Sequence, residues 1–263
     1  MEFRKFLGLE FADTSLDKLI EEMASKLNAD GKSYIVTPNP EIFLTSWGDG
    51  SFAKVLKGAW FNCADGFGLQ WAYWFKEKFE SKSPLFRSAI LYPSIAWFWL
   101  SGKSKESKLR RITGVDLMSK FLIWQNEVPV FLLGAAPGVA EEVIKQFPYS
   151  EVVGCYAGSP DSKDTDEIIE RINATPAKVL FVAYGAPAQE LWISKNLSKL
   201  NNVSLAIGVG GAFDFLSGRV ERAPEKWQKL GLEWLWRLFK QPWRWRRIFN
   251  AVVVFPYKFL KQM

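Results

Sequence analysis

Histidine is absent from all 263 residues. That excludes Ser-His-Asp and Cys-His nucleophile systems and the usual imidazole zinc site. Proton transfer therefore falls to a carboxylate, Lys, Tyr or Cys. Asp65 is the acid of the turn Ala64-Asp65-Gly66, after a short apolar run. It reads either as a base at a strand end or as a cap of the helix that follows. Thr37 and Asn39, in Thr37-Pro38-Asn39-Pro40, can hydrogen-bond a polar ligand or close an ST or Asx turn. Arg111 carries a planar fork suited to phosphate oxygens, and Arg110 beside it offers the same chemistry. The spelling Asp164-Thr165-Asp166 resembles a metal-binding pair but lies in a polar helix start, where Asp is common in any case. No metal or other cofactor is expected. Cys63 and Cys155 are far apart with apolar flanks, so neither a CxxC site nor a disulfide framework is expected, which fits a reducing cytosol.

These residues need strand ends to hold them. Apolar runs at 34–36, 60–63, 129–133, 151–156, 179–183 and 204–209 alternate with helical patterns at 40–47, 67–79, 115–126, 139–147, 164–173 and 187–200. Continuous apolar strands separated by helices predict an α/β fold, a Rossmann-like parallel sheet with helices on both faces. Asp13 or Thr14 is placed to cap a first helix with Leu16, Leu19, Ile20, Met23 and Leu27 on one face. The residues before it, Met1–Lys5, read as a polar helical lead without a signal-peptide core.

In such sheets ligands bind beyond the C-terminal strand ends. Five Gly- or Pro-rich turns converge there: 37–40, 64–68, 134–138, 184–187 and 208–214. Gly134, Ala135, Gly185 and Gly210 belong to turns whose backbone N–H groups can approach a phosphate. Gln189, Glu190 and Asp214 open the helices that follow, Asp214 being the better placed to contact a base or ribose. The order Gly-Ala-Ala-Pro-Gly at 134–138 is not GxGxxG, which counts against a nucleotide-dependent oxidoreductase.

The charge is uneven. Residues 219–263 hold eleven Lys/Arg against three Glu, a net +8 within an overall +6, so residues 1–218 sum to −2. Five of the thirteen Trp lie in that tail. The expected organisation is a catalytic body, 1–218, followed by a helical, basic and aromatic appendage, 219–263. Basic residues interleaved with Trp suit an anionic membrane surface, at about 1 kcal/mol per basic side chain. A nucleic-acid tail has similar composition. The acidic body and the apolar run Ala251–Phe255 weigh against nucleic acid. Residues 77–108 interrupt the pattern with an apolar insertion, read as a hairpin or helical pair that either completes the core or wedges into a membrane interface or a second subunit. The uncharged stretch 88–101 is too short to cross a bilayer.

The ordered blocks Thr37-Pro38-Asn39-Pro40, Ala64-Asp65-Gly66, Arg111-Ile112-Thr113-Gly114-Val115-Asp116-Leu117, Phe131-Leu132-Leu133-Gly134, Tyr184-Gly185-Ala186-Pro187-Ala188-Gln189-Glu190, Gly208–Asp214 and Arg222–Arg247 resemble the WecG/TagA/CpsF glycosyltransferases. The resemblance runs from about residue 8 to about residue 250. The 77–108 insertion departs from that family's compact pattern. The resemblance implies an inverting, metal-independent transfer from a UDP-sugar, such as UDP-N-acetylmannosamine, to an undecaprenyl-diphosphate-linked sugar at the cytoplasmic membrane face. It implies Asp65 as general base, with Thr37, Asn39 and Arg111 about it. It assigns Arg237, Arg244 and Arg247 to the acceptor diphosphate in a tail that closes over the site at the membrane. The rival to any enzyme is a membrane- or nucleic-acid-binding module on a degenerate α/β body.

Overall fold

The computed structural model describes residues 2–29, 31–103 and 107–263. Eight strands form one sheet in the order β1-β2-β4-β3-β8-β7-β5-β6. They are β1 (Phe3–Phe6), β2 (Leu9–Ala12), β3 (Ser33–Val36), β4 (Phe61–Asn62), β5 (Val130–Gly134), β6 (Val152–Tyr156), β7 (Val179–Ala183) and β8 (Leu205–Gly208). Every pairing is parallel except β1 with β2. Every residue of β5, β7 and β8 is buried, as a sheet covered on both faces demands. The expected Rossmann-like α/β architecture is present.

The helices are α1 (Leu16–Leu27), α2 (Pro40–Gly48), α3 (Gly50–Gly58), α4 (Phe67–Phe79), α5 (Pro84–Leu100), α6 (Gly114–Trp124), α7 (Val139–Gln146), α8 (Thr165–Asn173), α9 (Ala188–Asn196), α10 (Ala212–Leu216), α11 (Glu225–Lys229), α12 (Glu233–Lys240), α13 (Trp245–Phe249) and α14 (Phe255–Leu260). A π-helical stretch, Asn250–Val254, joins α13 to α14.

The N-terminus differs from the helical lead expected of it. Residues 3–12 form an antiparallel hairpin whose two turn residues, Leu7 and Gly8, both have positive φ (50° and 78°). That backbone twist matches a two-residue hairpin turn, and Gly8 allows it. Phe6, Leu9, Phe11 and Ala12 are buried, so hydrophobic alternation outweighed the polar residues between them. The cap of α1 is Ser15, whose side chain accepts from Lys18 N–H, rather than Asp13 or Thr14.

The insertion is one long helix following α4. Ser83 caps α5 and Pro84 occupies its first turn, where a missing N–H costs nothing. Leu91, Ser94 and Phe98 face inward, while Leu85, Phe86, Tyr92, Trp97 and Leu100 are exposed. The helix thus completes a core on one side and presents apolar surface on the other. Residues 104–106 of the insertion lie outside the described residues.

The tail returns to the body. Phe255 and Phe259 of α14 are fully buried in a cluster with Phe43, Trp71, Phe75 and Phe98. Phe255 stacks on Trp47 at 5.6 Å and 4°. Each such buried ring contributes about 1.5–3 kcal/mol, enough to anchor the far end of the appendage. No helix among the described residues is long and apolar enough to cross a membrane.

Candidate active site

Asp65 follows β4 and is held from both sides. Its N–H donates to Pro38 O at 2.8 Å, and the neighbouring Ala64 carbonyl accepts from Ile112 N–H at 3.0 Å. That last bond is part of an isolated parallel bridge between Ala64 and Arg111, which places Arg111 beside the aspartate. The helix-cap reading does not hold. The cap residue of α4 is Gly66, at φ 104°, which makes no side-chain capping bond.

Asp65 sits at the floor of a cavity of about 670 Å³. Asn39, Arg111, Glu233, Arg237, Arg244 and Arg247 share its walls. Arg110 does not line it and is exposed, so of the two adjacent arginines the fold selects Arg111. Arg111 Nη2 also donates to Gln228 O in the tail at 3.3 Å. Burial raises the Asp65 carboxyl to about 7, with Arg111 and Arg237 opposing the shift and Glu233 and Asp116 adding to it. A carboxylate titrating near neutrality is matched to general-base work.

The tail brings its arginines over this floor. Burial lowers the Arg237 guanidinium, which stacks on Phe215 at 4.4 Å and leaves its Nε buried without a hydrogen-bond partner. Burial, with repulsion from Arg237 and Arg247, lowers Arg244 to about 10. Neither makes a side-chain ion pair among the described residues. Three like charges held this close favour an anion between them. Arg247 instead forks onto Glu41, with contacts of 2.6–3.1 Å across 206 residues.

An ion-pair chain fixes the tail's approach. Thr113 caps α6 and donates to Asp116 at 2.8 Å; Asp116 pairs with Arg222 at 2.7 Å; Arg222 reaches Glu233 at 3.6 Å. Burial opposes it, but Arg222 and Thr113 hold Asp116 below the usual carboxylate range. Sequence reasoning passed over Glu233, Asp116 and Glu41. Glu233 and Arg237 do stand four apart on one helix, a spacing that puts them on a common face.

The remaining predicted residues lie along the same edge but do different work. Thr37 is buried and its hydroxyl donates to Gly208 O at 3.0 Å, tying β3 to β8. Asn39 lines the cavity, yet its Oδ1 caps α2 by accepting from Glu41 and Ile42 N–H. Gln189 and Glu190 are buried beneath the turns instead of facing a ligand-sized opening. Gln189 Oε1 accepts from Gly185 N–H at 3.1 Å and Gly210 N–H at 3.0 Å. Its Nε2 donates to Glu190 Oε1 at 2.7 Å. Burial raises Glu190 to about 7, and its Oε2 has no hydrogen-bond partner among the described residues.

Gly134 and Ala135 adopt φ of 102° and 64°. A Cβ on Gly134 would fall 2.9 Å from the Ala183 backbone, so the turn requires glycine there. Asp214 stands in the first turn of α10, near Arg237 across Gly211. None of Gly134, Ala135, Gly185, Gly210 or Asp214 lines the Asp65 cavity, and neither do Asp164 and Asp166.

A profile of the "Glycosyl transferase WecG/TagA/CpsF family" matches residues 4–88 and 87–263, nearly the whole chain. The chain belongs to the WecG/TagA/CpsF glycosyltransferase family. A curated relative, the N-acetylglucosaminyldiphosphoundecaprenol N-acetyl-beta-D-mannosaminyltransferase of Bacillus spizizenii, is 32% identical over 257 residues. The match covers 95% of this chain and 88% of the relative. Membership in a glycosyltransferase family decides against both the oxidoreductase and the non-enzymatic readings. The two matched segments meet inside α5, the helix that the ordered motifs left unassigned.

Proposed function

We propose that the protein transfers a sugar, with inversion, from a UDP-sugar to a polyprenyl-diphosphate-linked sugar at the cytoplasmic face of a membrane, without a metal. The carrying observation is the cavity that joins a near-neutral Asp65 to Arg111, Arg237 and Arg244. The relative's name supplies the acceptor class, a sugar on diphosphoundecaprenol, and N-acetylmannosamine as the sugar moved.

In this reading the acceptor hydroxyl oxygen attacks the anomeric carbon from the face opposite the nucleotide. The new carbon–oxygen bond forms as the bond to the UDP β-phosphate oxygen breaks. The hydroxyl proton passes to Asp65 and the electron pair leaves with UDP. The nucleotide lies against the Gly134–Gly138 turn and Asp214, while Gln189 and Glu190 hold the adjoining turns in place. Arg111 stands between the two diphosphates, and Arg237, Arg244 and Arg247 meet the acceptor's. Arginines supply the positive charge that a divalent cation supplies in other glycosyltransferases. Trp243, Trp245, Phe239 and Phe249, all exposed beside Arg246, are the groups that would rest on an anionic bilayer.

The test is a donor screen against a polyprenyl-diphosphate-linked N-acetylglucosamine, with and without EDTA. Expected is transfer from UDP-N-acetylmannosamine that EDTA leaves intact, giving an inverted anomeric linkage by NMR. A retained configuration, or loss of transfer on chelation, would refute the mechanism.

A further inference from the structure

The Asp65 cavity has two unlike kinds of wall. Asp65 and the arginines make it charged in part, and most of the remaining wall is apolar. One side of that wall is α5, through Tyr92, Ile95, Ala96 and Trp99. The facing side is Ala251 and Val252 of the π-helical stretch. The extra residue per turn of a π-helix re-aims side chains, and such stretches recur at functional sites. Two hydrogen bonds clamp α5 to the tail: Tyr92 O–H donates to Val253 O at 3.1 Å, and Trp99 Nε1–H donates to Leu230 O at 2.6 Å. The wall is therefore held in place. It belongs to the same cavity as the charged residues, whose whole volume of about 670 Å³ lies in the range of small-molecule sites, about 300–1,000 Å³.

We infer that α5 and the π-helical stretch form a channel for the isoprenoid chain of the acceptor, so that α5 reads the lipid as well as the sugar. The inference rests on the acceptor proposed above. A molecule with a diphosphate between a sugar and an apolar chain matches the kinds of surface that share the cavity: Asp65 for the sugar hydroxyl, Arg237 and Arg244 for the diphosphate, α5 for the chain. Ala96 is the point where the wall can be filled. It is an exposed alanine on a helix, so a larger side chain there reaches into the channel without displacing core.

The experiment compares detergent-free transfer to N-acetylglucosamine linked through diphosphate to a geranyl or a geranylgeranyl tail. Each buried methylene adds to affinity, so wild-type kcat/KM should be about tenfold or more higher for the longer tail. Ala96→Trp should bring that ratio close to one, and Ala96→Leu should give an intermediate ratio. Circular dichroism checks that the fold persists, and the leucine variant decides the matter if the tryptophan variant misfolds. An unchanged ratio in both variants would overturn the channel. So would a ratio that shifts only when anionic vesicles are added, because that result makes α5 a bilayer contact. Failure of the acceptor reading itself looks different: wild-type enzyme would then transfer to neither tail.

Discussion

At the β5–β7–β8 end of the sheet edge, the turns are built from backbone and are closed on themselves. Gly134 fits only as glycine, and Gly185 and Gly210 give their N–H groups to one buried Gln189. At the β4–β3 end long charged side chains from distant segments share the walls with apolar ones, and the half-buried Arg237 and Arg244 make no ion pair among the described residues. The first region is closed by its own turns. The second is walled by residues of the tail and of α5, and leaves positive charge for a ligand to neutralise. In the proposed reaction the first region would take the nucleotide and the second the lipid-linked acceptor.

The comparison breaks most visibly at Asp65. Asp65→Asn should lower turnover by about 10²–10⁴-fold while UDP affinity, measured by calorimetry, stays within about twofold. The base must be ionised to accept a proton, and burial holds Asp65 near 7. Wild-type kcat/KM should therefore fall as pH drops through about 7, and the residual rate of the variant should lack that limb. A wild-type rate in Asp65→Asn would remove the base assignment.

A smaller effect is expected from Arg244→Ala. Losing one charge-assisted contact to a diphosphate should cost about 10- to 100-fold in kcat/KM for the acceptor, with the donor KM unchanged. Equal losses for donor and acceptor would mean that the two ends are not separate binding regions.

Gln189→Leu gives the least kinetic change and the clearest structural one. It leaves two N–H groups without their acceptor, at about 1–3 kcal/mol each where they stay dry. The melting temperature should fall by roughly 5–15 °C, and donor KM should rise more than acceptor KM. If acceptor KM rose instead, Gln189 would belong to the charged end.

The parallel sheet was legible because β5, β7 and β8 are continuous apolar runs with glycine turns after them, a local pattern. Asp65 stood out for a compositional reason, since without histidine few groups can move a proton near neutral pH. The hairpin at 3–12 was missed because its strands are four residues long with charged outward faces, and such short alternation also reads as one side of a polar helix. Sequence placed Gln189 at a turn but not beneath it. Burial is a property of what packs above.

What the sequence determined by itself was the strand order in time, the turns, the missing imidazole and the split of charge between body and tail. These depend on neighbours within a few residues. Only the tertiary structure decided that Arg111 and not Arg110 meets Asp65, that Arg247 answers Glu41 across 206 residues, and that α5 walls the same cavity as the tail. The first follows from the Ala64–Arg111 bridge and the other two from where Phe255 and Phe259 bury themselves, and that burial belongs to the whole core rather than to any local stretch of chain.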